Sequence, residues 1–337
     1  MATVEIMSFF CPRILDWKLE DTVIFLCLSY QQITYNIDTM ATQKVTPQPE
    51  DLLDPRVRDG IKILLNAIES LDKSDDVNPM LLKDTLDHFS SIESLTSTRQ
   101  LYMEEQPYMT SSLRTSLIGL ITRLHYKLCL VSETLGLSVN LLDRFLAKKQ
   151  VLDGEFVLIA LTCLSIASKL VDSTFHKNDK IEITDYLSTF NYTKKDMGRM
   201  EKIVLSELDC RIYVPTSYTF LGIYLNLHPP GGIGISRDSF FILDCTLGRY
   251  HLLEYLPSET ACASILIARL ANGETPWCEN LTFYTKYNKE DILPVARSIL
   301  STISLSRELG YTMLVYGKYN YSNLLKLSAL EQLYKDL

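Results

Sequence analysis

The chain has 337 residues, of which 47% are hydrophobic and 22% charged, and its formal net charge is −8. This composition excludes a disordered protein, because a chain without a packed core carries far fewer apolar side chains. The acidic balance argues against a protein that binds nucleic acid or an anionic membrane, since contacts with phosphates require clustered Lys and Arg.

The eight cysteines indicate a reducing environment. None forms a Cys-x-x-Cys pair, and most lie in apolar stretches, where a thiol behaves as a small hydrophobic group. We therefore predict no disulfide framework, no metal site and no cofactor, and a location in the nucleus and cytoplasm. The longest apolar stretch, Phe156 to Ala167, is too short to span a bilayer.

Residues 1–99 are predicted to form an N-terminal extension. Its first 50 residues show no sustained helical period. Asp54-Pro55 and Asn78-Pro79 each combine an N-cap residue with a proline at the first helical position, which is typical of a helix start. Apolar residues then recur at helical spacing, so we predict helices over 55–72 and 79–95.

Residues 100–227 are predicted to contain a five-helix bundle and one further helix. Thr193 with Asp196 resembles a capping box that opens the fifth helix. The third helix is apolar or small on every side, so other helices must surround it. The predicted helices cover about Leu113–Leu128, Leu135–Leu146, 153–170, Ile183–Phe190, Thr193–Leu208 and Pro215–Asn226.

Residues 228–337 partly repeat this pattern. A linker from Pro229 to Gly234 interrupts the helical period. Helices are then predicted over Phe240–Tyr255, Glu259–Ala271 and Ile292–Ile303, and the middle one is again rich in small residues. The predicted fold is therefore all-α, with two tandem five-helix bundles after an N-terminal helical or irregular extension.

Several segments, in this order and at this spacing, resemble the cyclin family over about residues 100–305. The similar segments of the N-terminal cyclin box are Leu113–Leu120 (LRTSLIGL), Leu142–Leu146 (LDRFL), Ile166–Lys169 (IASK) and Met200–Leu208 (MEKIVLSEL). Leu256–Ser258 (LPS) and Pro276-Trp277 resemble the C-terminal box of A- and B-type mitotic cyclins.

This resemblance implies a non-enzymatic subunit that binds and activates a cyclin-dependent protein kinase in cell-cycle control. It places Lys169 and Glu201 on either side of a kinase-facing surface, where they hydrogen-bond to the kinase backbone. The apolar part of that surface consists of Leu170, Leu205 and the position of Cys210. Without the resemblance, Lys169 and Glu201 are also explained as charges favoured by helix dipoles.

Arg114 and Asp143 are similar to an internal ion pair of the family. Such a pair would fix the register between the first two helices of the bundle, because a buried charge without its partner is strongly destabilising. The alternative is two unrelated surface charges.

The substrate-docking patch of the family is degenerate in this chain. Its usual tryptophan is Leu120, its usual acidic residue is Arg123, and its usual glutamine is Val157. We therefore expect weak or altered docking of Arg-x-Leu motifs, because Arg123 repels their basic end. The matching positions are Leu113, Ser116, Leu117, Leu120, Arg123 and Val157.

Two other classes of protein are alternatives to a kinase regulator. An enzyme is not indicated, because the five histidines are scattered and Gly231 to Gly234 follow two prolines rather than a strand. An adaptor of the same fold that acts in transcription, either a transcription-associated cyclin or an initiation factor, stays open. The initiation factors need a basic face and usually a zinc ribbon, which the net charge and the cysteine spacing disfavour.

Overall fold

The computed structural model describes residues 78–98, 102–152, 154–172, 183–227, 233–305, 311, 314 and 315. The helix predicted over 55–72 lies outside these residues. Helix α1, Asn78–Thr96, occupies the position of the second helix predicted in the extension. The described residues from Phe89 onwards form one compact unit, which contains both bundles.

The first bundle is built around one buried helix, α4. All of its residues are buried except Val157 in its first turn and Lys169 in its last, which agrees with the all-round apolar sequence. It contacts every other helix of the bundle. The bundle consists of α2 (Ser111–Lys127), α3 (Ser132–Lys148), α4 (Phe156–Val171), a 3₁₀-helix (Ile183–Phe190) and α5 (Lys194–Glu207).

The second bundle has the same plan around α8. The small residues Ala261, Ala263 and Ala268 are fully buried and let the neighbouring helices approach closely. The structure places α6 in this bundle, since it packs against α8, whereas the sequence grouped it with residues 100–227. The helices are α6 (Ser217–Leu227), α7 (Ile233–Leu247), α8 (Pro257–Ala271), α9 (Glu279–Thr285) and α10 (Lys289–Leu305), with a 3₁₀-helix at Tyr250–Glu254.

Helix α7 differs from the sequence prediction at both ends. It begins at Ile233, inside the predicted linker, and it ends at Leu247 instead of continuing to Tyr255. The first bundle explains its end: Arg114 donates a hydrogen bond to the carbonyl of Leu247 (3.0 Å), and Thr115 donates one to that of Gly248 (2.9 Å). These donors satisfy carbonyls that have no partner inside the helix.

The all-α fold class is confirmed within the described ranges, where only helices, turns and irregular segments occur. Helix α9 was not predicted from the sequence, because seven residues give too short a period to recognise. Among the described helices, none combines the length and the apolar character that crossing a membrane requires.

The last turns of α1 pack against the second bundle. The ring of Phe89 meets that of Phe220 edge to face, with 6.3 Å between the centroids. The carboxylate of Glu93 accepts hydrogen bonds from the backbone N–H (3.0 Å) and the hydroxyl (2.7 Å) of Ser258. Ser258 lies in the first turn of α8, so a buried carboxylate caps the central helix of that bundle.

Candidate functional site

Lys169 and Glu201 bind each other directly. Lys169 is the last charged residue of α4, and Glu201 lies in the middle of α5, whose start is fixed by the capping box of Thr193 and Asp196. The ammonium of Lys169 lies 2.8 Å from each carboxylate oxygen of Glu201. The Lys169 side chain is 59% exposed and that of Glu201 17% exposed, so an incoming partner can reach both.

The apolar residues predicted beside this pair differ in their accessibility. Leu170 is buried and supports the surface from below, whereas Leu205 and Cys210 are half-buried. Ile203 is exposed on the same helix as Leu205, and the sequence did not single it out. It lies two residues from both Glu201 and Leu205, so it points to another side of α5 and is not part of this surface.

The edge of this surface is a strained turn. Asp209 and Cys210 both adopt left-handed backbone conformations, with φ of 53° and 54°. Such a conformation costs a non-glycine residue on the order of 1 kcal/mol, so surrounding contacts must hold it. The backbone N–H of Cys210 donates to the carbonyl of Leu205 (2.8 Å), which closes the turn at the end of α5.

Basic residues at the end of α3 brace that turn. Arg144 donates to the carbonyl of Arg211 (2.8 Å), and Lys148 donates to the carbonyl of Glu207 (2.9 Å) and to Asp209 (3.1 Å). Burial and the neighbouring charge of Arg211 lower the pKa of Arg144 to about 10. Cations near the carbonyls that end α5 are favourable, and they set the position of α5 against α3.

Asp172, the residue directly after the end of α4, has a structural role. Its carboxylate accepts a hydrogen bond from the backbone N–H of Val131 (3.1 Å) and another from the hydroxyl of Thr134. It is buried at the N-terminus of α3, where a negative charge is favoured. Asp172 therefore ties α4 to α3 and does not offer its charge to a partner.

Arg114 and Asp143 form a buried, bidentate ion pair. The guanidinium donates two hydrogen bonds of 2.8 Å to the carboxylate, and the hydroxyl of Tyr102 donates a third of 2.6 Å. Arg114 is 1% exposed, and the pair joins α2 to α3. Burial alone would lower the pKa of Arg114, but the charge of Asp143 and its hydrogen bonds raise it.

The same arginine connects the two bundles, because it also donates to the carbonyl of Leu247. A second connection is made by Glu133 at the start of α3, which accepts hydrogen bonds from the hydroxyls of Thr216 (2.8 Å) and Thr219 (2.9 Å). Burial raises the pKa of Glu133 to about 7, against the opposing effect of these hydrogen bonds. The two bundles are thus held together by buried polar contacts.

The positions of the degenerate docking patch lie on α2 and in the first turn of α4. Leu117 is buried, whereas Leu113, Leu120 and Val157 are half-buried and Ser116 and Arg123 are exposed. The accessible apolar surface therefore comes from Leu113, Leu120 and Val157, with Leu117 supporting them from beneath. Within the described ranges no group of His, Cys, Asp and Glu could hold a metal ion.

Both bundles match domain models of the same protein family. Residues 84–213 match the family model of the cyclin N-terminal domain, and residues 215–333 match that of the cyclin C-terminal domain. The first match begins at residue 84, inside the segment that the sequence assigned to the extension.

The relatives include mitotic B-type cyclins. A G2/mitotic-specific cyclin-B of Spisula solidissima is 27% identical over 307 residues, which cover 89% of this chain and 69% of that protein. A cyclin-B2-3 of Arabidopsis thaliana is 29% identical over 259 residues, 75% of this chain and 59% of that protein.

A solved structure shares the fold. The structure of a viral cyclin from herpesvirus saimiri superimposes with a TM-score of 0.53 at 20% identity and covers 69% of this chain and 97% of the viral one. The tandem arrangement of two bundles predicted from the sequence is confirmed by this likeness and by the two family models.

Proposed function

The chain belongs to the cyclin family of non-catalytic kinase regulatory subunits, and from that premise we propose that it binds and activates a cyclin-dependent kinase in cell-cycle control. The observation that carries the proposal is the accessible pair of Lys169 and Glu201, with the half-buried Leu205 one turn after Glu201 and the half-buried Cys210 at the end of α5. The likeness to mitotic B-type cyclins supports a role in cell division.

The mechanism is a shift in a conformational equilibrium of the kinase. Phosphoryl transfer requires a glutamate of the kinase's regulatory helix to pair with its ATP-binding lysine. A subunit that binds only the aligned conformation raises its population, by as much as its affinity for the two conformations differs. In this proposal the surface of α4 and α5 binds next to that helix and holds it in the aligned position.

The Lys169–Glu201 contact can rearrange for this purpose. A solvent-exposed ion pair contributes about 0–1 kcal/mol, so separating the two side chains has a small cost. On binding, the ammonium of Lys169 would donate to carbonyls of the kinase backbone, and the carboxylate of Glu201 would accept from its N–H groups. The pair thus orients the kinase without a large loss of stability in the free protein.

The apolar neighbours must supply most of the binding energy. Shifting a kinase from about 1% to about 99% aligned requires a difference of about 5.5 kcal/mol in affinity. At about 25 cal/mol per Å² this corresponds to roughly 220 Å² of apolar surface buried only in the aligned state. The partly accessible side chains of Leu205 and Cys210 are placed to contribute to this area.

Affinity purification tests the proposal. Tagged full-length chain, expressed in dividing cells, should recover a cyclin-dependent kinase that mass spectrometry identifies. Lys169→Ala and Glu201→Ala should each reduce the recovered kinase on the order of tenfold, because each removes hydrogen bonds to its backbone. Glu290→Ala, an exposed carboxylate of α10 in the second bundle, is the matched control and should recover as much kinase as the wild type.

Two outcomes would contradict the proposal. Recovery of transcription machinery with no kinase would assign the chain to the other users of this fold. Recovery of a kinase in equal amounts by wild type and both site variants would place the kinase contact elsewhere on the chain.

A location in the nucleus and cytoplasm is part of the proposal. Its support is that Cys163, Cys245 and Cys262 are buried thiols that form no disulfide, as is usual in proteins of a reducing compartment. Fluorescence microscopy of the tagged chain tests this; a secreted or membrane-bound signal would contradict it.

A further inference from the structure

We propose that Thr275 is a phosphorylation site and that the buried guanidinium of Arg269 binds the phosphate. Thr275 lies in residues 272–278, which join α8 to α9 and which we call the α8–α9 segment. The phosphate would fasten this segment to the end of α8. The site belongs to the second bundle, so the inference does not rest on the proposed function of the α4 and α5 surface.

Arg269 is a buried cation without an acidic partner. It lies in the last turn of α8 and is 5% exposed. Among the described residues its side chain makes one hydrogen bond, from Nε to the carbonyl of Thr275 (2.6 Å), and takes part in no ion pair. A buried charge is costly unless an anion and hydrogen bonds compensate it. The terminal amino groups of this guanidinium therefore indicate an anion that the unmodified chain does not supply.

The turn at the end of α8 brings Thr275 to this arginine. The N–H of Glu274 donates to the carbonyl of Arg269 (3.0 Å). The N–H of Gly273 donates to the carbonyl of Leu270 (3.1 Å), and these two bonds form a Schellman motif. Gly273 has a φ of 72°, the left-handed conformation that this motif requires. Backbone donors thus satisfy the carbonyls at the helix end, and the guanidinium is left for another acceptor.

Thr275 is accessible to an enzyme. It is exposed and lies outside the helices, and its hydroxyl makes no hydrogen bond to any residue that the structure describes. Pro276 follows it and disfavours a helical conformation at Thr275, so the residue stays extended or in a turn. A protein kinase that accepts proline after the modified residue can therefore bind this segment.

The reaction is a phosphoryl transfer from ATP. The hydroxyl oxygen of Thr275 forms a bond to the γ-phosphorus, and the bond from that phosphorus to the oxygen that leaves with ADP breaks. The hydroxyl proton passes to the aspartate base of the kinase. The product carries a charge of about −1.5 to −2 at pH 7 and offers strong acceptor oxygens.

The phosphate would lie next to the guanidinium. The hydroxyl of Thr275 belongs to the same residue as the carbonyl that Arg269 contacts, so a phosphate on it extends from a point within a few ångströms of the cation. The two terminal amino groups of Arg269 can then donate to two phosphate oxygens, which is the bidentate geometry typical of arginine and phosphate.

The acidic residues around the site do not replace the phosphate. Glu274 and Glu279 are both exposed, so water and salt screen their repulsion of a phosphate, whereas a contact with a buried guanidinium is screened much less. Asp238 of α7 accepts from the amide of Asn272 (2.9 Å) and lies 3.6 Å from the guanidinium of Arg237. Its charge is therefore already used at this end of α8.

Mass spectrometry tests whether the site is modified. The full-length chain is recovered from dividing cells in the presence of phosphatase inhibitors, and the tryptic peptide of residues 270–286 is fragmented. Phosphate should be found on Thr275 and not on Thr285, a buried threonine of the same peptide that serves as an internal control. Thr275→Ala should yield this peptide without phosphate.

Thermal unfolding tests the contact with Arg269. Full-length chain with phosphothreonine incorporated at position 275 is compared with the same chain after phosphatase treatment. The phosphate should raise the melting temperature by roughly 2–6 °C, because it adds charge-assisted hydrogen bonds to the folded state alone. In Arg269→Gln the rise should be under about 1 °C. Lys195→Gln, which removes an exposed cation of α5, is the matched control and should keep the full rise.

A second measurement needs no variant. The charge of Arg269 favours the doubly ionised phosphate, so a titration followed by ³¹P NMR should show a lower second pKa of the phosphate in the folded chain. We expect this pKa to lie at least roughly 0.5 below that of the same chain unfolded in urea.

Any of the following results would overturn the inference. They are the absence of phosphate on Thr275 in dividing cells, a melting temperature that the phosphate leaves unchanged or lowers, an equal rise in Arg269→Gln, and an equal phosphate pKa in the folded and unfolded chain. Kinase recovery by the Lys169 and Glu201 variants is independent of all these results, so failure here leaves the proposed function standing.

Discussion

Replacing Asp143 by Asn removes one charge from the most buried ion pair that the structure describes. The substitution keeps the shape of the side chain, and Arg114 then remains buried without a counter-charge. The carboxylate accepts three hydrogen bonds, two from Arg114 and one from Tyr102, all between 2.6 and 2.8 Å. An Asn can keep one oxygen acceptor, but its amide N–H₂ faces a guanidinium N–H and repels it.

The size of the effect follows from these contacts. A hydrogen bond to a charged group contributes about 1.5–3 kcal/mol, and breaking a buried pair by removing one partner costs about 3–5 kcal/mol. We expect the free energy of unfolding to fall by about 3–5 kcal/mol, which is a large part of the roughly 5–15 kcal/mol typical of a folded protein. For a unit of this size the melting temperature should fall by roughly 6–20 °C.

Urea unfolding followed by circular dichroism at 222 nm measures this loss. The control is Lys149→Ala, which breaks the exposed pair with Glu207 and should cost under about 1 kcal/mol. Combining Asp143→Leu with Arg114→Met should cost less than Asp143→Asn alone, because no unpaired charge remains. A loss below about 1 kcal/mol for Asp143→Asn would show that this pair does not fix the packing of α2 against α3.

Three further predictions concern other parts of the fold. The pKa of Glu133 is about 7 in the folded state against 4.5 for an exposed glutamate, so the folded state binds more protons than the unfolded state between these values. The free energy of unfolding should therefore fall as pH rises from 4.5 to 7, by roughly 3 kcal/mol at most. Glu133→Gln should remove most of this dependence, which urea unfolding at about pH 5 and about pH 8 measures. Gly248→Ala should cost about 1–3 kcal/mol in thermal unfolding, because its Cβ would lie 2.6 Å from the ring of Tyr311, whereas Gly119→Ala, with 3.8 Å to the same ring, should be tolerated. Thr193→Ala should cost about 1 kcal/mol by removing the capping box of α5, and an unchanged urea midpoint would contradict that role.

The local features of the fold could be predicted from the sequence, because each depends on neighbouring residues. The all-round apolar pattern of α4 identified a central helix, and Thr193 with Asp196 identified the start of α5. The ends of α7 could not be predicted in this way. Its C-terminus is set by hydrogen bonds from Arg114 and Thr115, which are 133 residues away in the chain, and no local pattern records such a contact.

At the candidate site, too, features set by neighbouring residues could be predicted, whereas contacts between helices could not. Lys169 and Glu201 were identified by resemblance, but their direct contact depends on how α4 and α5 pack, which the sequence does not specify. The brace formed by Arg144 and Lys148 was missed, although basic residues near the end of a helix were a visible signal. The burial of Leu117 was also not visible, since spacing along α2 alone does not distinguish the surface of a patch from the layer beneath it.

A phosphorylation assay with purified components tests the proposal that this chain activates a kinase through the surface of α4 and α5. The kinase recovered by affinity purification is mixed with increasing amounts of the chain, and phosphate transfer to a model substrate is measured. The rate of phosphate transfer should rise and saturate at one chain per kinase. Lys169→Ala and Glu201→Ala should each require on the order of tenfold more protein for half of the effect. A kinase that binds the chain but transfers phosphate no faster with it than without it would contradict the claim.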